Sequence, residues 1–120
     1  MKVIRAKDIK VEKRTGGLFT GGKPVEVKIL ADETMGSKDF RIGIVTFPSG
    51  TRNLNHIHDN EQILYVLQGK GIVATDSKEG VVNEGDVIII PAGEKHWHGA
   101  TVDSVFSHLF LIKTQTKTSY

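Results

Sequence analysis

The chemistry available to this chain is concentrated in its five histidines. Four form two HxH doublets, His56-Ile57-His58 and His96-Trp97-His98, and His108 follows ten residues after the second. Gln62 lies four residues beyond His58. Alternate residues of a strand project to the same face. Each doublet therefore aims two imidazoles one way and an apolar residue, Ile57 or Trp97, the other. Strands that bring His56, His58, Gln62 and His96 into one sheet-lined cavity would assemble three imidazoles and an amide oxygen. That donor set suits a borderline divalent ion such as Mn, Fe, Co, Ni, Cu or Zn. An ion that prefers five or six ligands would keep open positions for water or substrate. Because Gln62 is neutral, such an ion would keep its full charge. It would polarise a carbonyl or acidify a bound water more strongly than a Glu-ligated ion, and it would attract an anion.

The remaining polar residues each allow two readings. His98 is either a general base beside the metal, since imidazole titrates near neutral pH, or a residue that only hydrogen-bonds the cavity wall. His108 stands between Phe106 and Phe110 on its own strand face, so it is either a pocket residue or a satisfied core histidine. Glu61 competes with Gln62 as a ligand, but strand parity sets Gln62 on the face of Leu64 and Val66 and Glu61 on the other. By the same parity Tyr65 faces away from the metal. Arg52 reads as a solvated loop charge and Trp97 as an outer-face or dimer-contact residue.

Short strands must position these groups. Runs rich in Val, Ile and Phe cover residues 25–30, 40–47, 62–67, 71–75, 81–82, 86–90, 95–98 and 105–112, and Gly-rich or polar turns separate them. Thirteen glycines among strands this short and even indicate an all-β sandwich or barrel. No stretch has a sustained helical period. The first dozen residues are the only helix candidate, and a strand fits them as well. The Thr/Lys-rich residues 113–120 read as a frayed end.

A length of 120 residues fits one domain, 1–120, with a barrel core at about 40–112. The chain lacks cysteine, which rules out a disulfide framework and a thiol nucleophile. A net charge of +2, with basic residues scattered along the chain, argues against a nucleic-acid partner. No apolar run reaches membrane-spanning length, and charged residues interrupt the N-terminus too often for a signal peptide. A cytoplasmic protein without a membrane partner is the expectation.

The segment from Gly50 through His56, His58 and Gln62 to Gly69, and the segment from Gly85 through Pro91, Gly93 and His96, together resemble the two signature motifs of the cupin superfamily. The Gly, Pro and His offsets all match. Gln62 stands where many cupins have Glu, and Ala100 stands where Asn is usual. The stretches Phe47–Arg52, Gly93–Ala100 and Ser107-His108-Leu109 extend the resemblance to small metal-binding cupins. These include the manganese-dependent bacterial cupin hydroxynitrile lyases and the carboxymuconolactone-decarboxylase-associated cupins. Leu18-Phe19-Thr20-Gly21 resembles their N-terminal strand. The resemblance implies a double-stranded β-helix, or jelly roll, and a homodimer. It also implies a metal, Mn first, on His56, His58, Gln62 and His96, with acid/base roles for His98 and His108. Asn55 and Asp59-Asn60-Glu61 depart from that group at positions expected to border the pocket, so substrate identity does not transfer. The function expected is a metal-dependent enzyme acting on a small carbonyl or oxygenated substrate by lyase, isomerase or dioxygenase chemistry. The alternatives are a cupin that only binds a small anion or sugar, and a metal-free structural cupin.

Overall fold

A computed structural model describes residues 1–120. Its strands are β1 (Glu12–Arg14), β2 (Val25–Ala31), β3 (Phe40–Phe47), β4 (Ile57–His58), β5 (Gln62–Gly69), β6 (Gly71–Thr75), β7 (Glu79–Val82), β8 (Val87–Ile90), β9 (His96–Ala100), β10 (Phe106–Lys113) and β11 (Thr118–Ser119). Single 3-10 turns at Ala6–Asp8 and Glu33–Met35 are the only helical pieces. All eight runs of the sequence reading occur as strands, with ends displaced by a few residues: β7 begins at Glu79, β8 at Val87, and β9 runs on to Ala100.

One sheet has the order β1-β2-β3-β10-β5-β8 and is antiparallel throughout. A second has the order β7-β6-β9. The chain before and including β4 extends this second sheet, because it runs antiparallel to β9 through bridges at Arg52–Gly99 and His56–His96. The close approach depends on Gly99, where a Cβ would collide with the Thr51 carbonyl and the Arg52 side chain.

The strand alternation sets the inside of the barrel. Val25 and Val27 of β2, Val45 and Phe47 of β3, Leu64 and Val66 of β5, and Phe106, Phe110 and Ile112 of β10 are all buried and form one apolar cluster. Each fully buried aliphatic or aromatic side chain of this kind contributes roughly 1.5–3 kcal/mol. Tyr65 and Leu67, on the opposite parity of β5, are exposed as expected. The inward histidines sit among these apolar side chains, with Phe47 and Phe106 packed against His108. No helix of the chain is long and apolar enough to cross a membrane.

The ends of the chain depart from expectation. The first dozen residues hold no helix beyond the turn at Ala6–Asp8, and β1 starts at Glu12. The tail is not frayed: β11 pairs with β4, Thr118 opposite His58 and Ser119 opposite Ile57. The β4 edge offers backbone groups that need partners, and the tail supplies them. Asp59 secures it, since its carboxylate accepts the Lys117 N–H at 2.8 Å and its own N–H donates to the Lys117 carbonyl at 3.1 Å.

Candidate metal centre

His56 and His96 lie forty residues apart in the sequence, and a reciprocal backbone pair holds them together. The His56 N–H donates to the His96 carbonyl at 2.9 Å, and the His96 N–H to the His56 carbonyl at 3.0 Å. Their ring centroids are 4.2 Å apart, and His58 lies 4.8 Å from His56 and 5.4 Å from His96. One nitrogen from each of the three rings falls within 4.8 Å of the others. Three histidines are thus positioned to bind a metal ion.

The hydrogen bonds of the rings leave the right atoms free. Nδ1 of His56 donates to the Leu54 carbonyl at 2.6 Å, and Nδ1 of His96 to the Glu94 carbonyl at 2.9 Å. A carbonyl only accepts, so each Nδ1 carries the proton and each Nε2 keeps its lone pair. Nδ1 of His58 is 2.8 Å from the Thr118 hydroxyl. Such outer contacts fix the ring orientation of metal-binding histidines. Meanwhile Nε2 of His58, Nε2 of His96 and Oε1 of Gln62 are buried with no hydrogen-bond partner. Leaving a buried polar atom unpaired costs about 1–3 kcal/mol, and three such atoms on residues of one cluster need a common explanation. A divalent cation fits all of them.

Burial keeps every imidazole in its neutral form. Desolvation lowers the His56 and His58 pKa values from 6.5 to about 4, and neighbouring imidazoles add to the effect. His96 is lowered for the same first reason. Metal binding requires unprotonated imidazole, so the fold presents the ring state a metal needs at neutral pH.

His98 and His108 form a second, deeper pair with ring centroids 4.9 Å apart and nearly perpendicular planes. Desolvation holds the His98 pKa well below 6.5, with His108 the next contributor, and lowers His108 to about 4. His98 also packs edge-on to Phe47, at 5.8 Å. His108 has an Nε2 with no partner. This pair is therefore not an ordinary satisfied core. A register shift between Ser107 and His108 in the β10–β5 pairing accompanies the position of His108.

Sequence reasoning missed Asn53, which is 2% exposed and holds His98. Its Oδ1 accepts the His98 backbone N–H at 2.8 Å, which turns the amide nitrogen toward the ring, 3.2 Å from Nε2. An N–H aimed at an imidazole lone pair favours the neutral ring. Asn55, expected at the pocket border, is only partly buried and does not line the cavity, whereas Asn53 does. Parity does not separate the two, since both lie an odd number of residues from His56; the difference comes from the irregular segment between the bridges at Arg52–Gly99 and His56–His96, where the Asn53 N–H pairs with the His98 carbonyl. Glu61 is exposed, as expected for the outward position. Arg52 is not a free loop charge: its guanidinium carbon lies 4.2 Å from the Trp97 ring centroid on the outer face.

The cavity holds about 200 Å³ of water-accessible space. Phe47, Val27 and Ile29 form its apolar wall, and His56, His58, Gln62, His98 and His108 its polar one. Gln115, Thr116 and Thr118 of the tail form part of the rim. The tail thus closes the cavity and orients a candidate ligand at once. Replacing Thr118 by Val removes the hydroxyl beside His58 Nδ1 and keeps the side-chain volume. Metal affinity is expected to fall about tenfold, the lower range for losing an outer contact to a ligating histidine. A competition titration against a coloured chelator reads this, and an unchanged affinity would show that the tail does not orient His58.

Known proteins agree with this architecture. A family model described as a cupin domain matches residues 43–112. The (R)-mandelonitrile lyase of Granulicella tundricola is 41% identical over 68 residues, which is 54% of this chain and 50% of that protein. The chain thus matches only half the length of that relative. The oxalate-binding protein of Thermotoga maritima is 30% identical over 96 residues, 78% of either chain. The crystal structure of a cupin-like protein from the same organism superposes with a TM-score of 0.81 at 33% identity, covering 90% of this chain and 82% of the other. With the two-sheet barrel and its inward histidines already described, these matches establish that the chain belongs to the cupin domain family.

Proposed function

We propose that this cupin is a metal-dependent enzyme acting on a small carbonyl-bearing or oxygenated substrate. The metal site consists of His56, His58, His96 and Gln62, with His98 and His108 as the proton-moving pair. The observation that carries the reading is the set of buried, unpartnered acceptor atoms on His58, Gln62 and His96, held in place by bonds at the far side of the rings. Manganese is the first candidate, with Fe, Ni, Co, Cu and Zn able to use the same donors. When bound, the ion supplies Lewis-acid polarisation of a substrate oxygen.

The chain's own residues do the rest. Gln62 contributes an oxygen without a charge. His98 is held unprotonated by burial and positioned by Asn53, and it takes the substrate's proton once the Asn53 N–H at its Nε2 is displaced. His108 lies against it and can take that proton onward or return it. Phe47 and Phe106 flank the pair and keep water from its faces. Lyase, isomerase and dioxygenase chemistry all use such a site, and the similarity to a mandelonitrile lyase supports the first.

A second reading, a cupin that binds a small anion without turning it over, is favoured by the similarity to a protein named for oxalate binding over most of the chain. The proton-moving pair separates the two readings, because a binding site has no use for it.

The test is metal content by mass spectrometry on wild type, Gln62→Ala and His98→Ala, followed by activity assays chosen by the metal found. Those assays are oxygen consumption for Fe, and lyase and isomerase screens for Mn or Zn. Stoichiometric metal in wild type, reduced in Gln62→Ala and kept in His98→Ala, with turnover lost in His98→Ala, is the expected pattern. No metal as purified and none taken up on soaking would overturn it. We also propose a homodimer, supported by the exposed apolar side chains Tyr65, Leu67, Val87 and Ile89 on the outer face of β5 and β8.

A further inference from the structure

The cavity wall contains no carboxylate. Three of its lining side chains are cationic, Arg14, Arg41 and Lys113, and none is acidic. Arg14 is already paired, its guanidinium 2.6 Å from the Glu12 carboxylate. That is the only ion pair in the chain: neither Arg41 nor Lys113 makes one, although the Asp32 carboxylate lies near enough to Arg41 to feel its charge.

Arg41 is also placed to serve the cavity. It shares the inward parity of β3 with Gly43, Val45 and Phe47. Its guanidinium carbon lies 5.8 Å from the ring centroid of Phe110, on the inward row of β10 that also carries His108. An arginine steadied against an aromatic face keeps its N–H fork available for a planar anion. The histidines that share the cavity are neutral, and the proposed metal site has no anionic ligand. No carboxylate on the cavity wall itself offsets the positive charge of Arg41 and Lys113.

Resting on the metal-site reading, we propose that the molecule recognised here carries a carboxylate gripped by Arg41, with Lys113 beside it, at the rim. Its oxygen-bearing end reaches toward the histidines. The apolar wall of Val27, Ile29 and Phe110 accommodates the body between the two ends. Arg41 thus sets specificity: it selects acids over the neutral amides or alcohols of the same shape. Arg41 and Lys113 are exposed at the mouth of the cavity, and a charged fork there favours an anion over a neutral group of the same shape.

The test is calorimetric titration of the manganese-loaded and the metal-free chain with acetate, lactate and benzoate, each beside its amide. At least one acid should bind the loaded chain about tenfold or more tightly than its amide, the range for a hydrogen bond to a charged group. Arg41→Gln should abolish that preference, and Arg41→Lys should keep part of it. The metal-free chain should show the same Arg41-dependent preference more weakly. The two readings thus fail separately: a chain that binds no metal but still prefers acids through Arg41 overturns only the metal site. Equal binding of acid and amide, a preference unchanged in Arg41→Gln, or no binding of any acid to either form would overturn the proposal.

Discussion

His96→Ala protein is expected to bind a divalent transition metal at least about a hundredfold more weakly than wild type. Even groups that merely orient a ligand are worth about 10–100-fold in affinity, and His96 would be a direct ligand. The backbone bridge to His56 survives the substitution, because it uses only the N–H and carbonyl of each residue. The barrel should therefore fold, and the loss should be local. Thermal melts with and without added metal provide the check. At free metal near a thousand times the dissociation constant, binding stabilises the native state by about 4 kcal/mol. For a chain of this size that raises the melting temperature by about 10 °C or more. The variant should lose most of the rise while its metal-free melting temperature stays close to that of wild type. A metal-dependent rise of wild-type size in His96→Ala would remove His96 from the site.

The convergence of His56, His58 and His96 was legible in the sequence because two ordinary constraints coincide there. Parity within each HxH doublet fixes the face, and the glycines at either end of each motif fix where the strands begin. The fold class was legible for a similar reason: apolar runs such as 40–47 and 105–112 need only their own alternation to declare themselves. The tail strand had no such signal. Thr118 and Ser119 are polar and exposed, and they become a strand only because β4, some sixty residues earlier, has an edge to offer. A pairing between two-residue strands leaves no periodicity to read. Asn53 was hidden differently, as an unremarked residue in the spacer before His56. Its role depends on the antiparallel approach of that spacer to β9, where the Asn53 N–H meets the His98 carbonyl at 3.0 Å. Arg41 could have been found, since the inward row Gly43, Val45, Phe47 of a correctly read strand extends to it.

Acid should destabilise the metal-free chain far more than an ordinary domain, and within a narrow range. His56, His58 and His108 have folded-state pKa values of about 4 against 6.5 for the free imidazole, chiefly because burial penalises the charged ring. Above pH 6.5 both folded and unfolded chains carry neutral rings, and the stability is fully present. As the pH falls from 6.5 toward 4 the unfolded chain takes up protons that the folded chain refuses, and stability is lost. At about 1.4 kcal/mol per pH unit, each ring costs on the order of 3 kcal/mol across that window. His56 and His58 share part of this cost, because they lie against each other and against His96, but even the shared cost is a sizeable part of the roughly 5–15 kcal/mol that holds a whole domain folded. Urea midpoints of chelator-treated protein should therefore be level from pH 8 to 7 and fall steeply between pH 6.5 and 4.5. His108→Gln, which removes one buried titrating ring, should fall less steeply. Metal should leave the loaded protein over the same range, since protons and metal compete for the same nitrogens. A midpoint unchanged between pH 7.5 and 5 would mean that the rings are hydrated in solution and that the buried setting on which the metal site and the proton-moving pair both depend is not there.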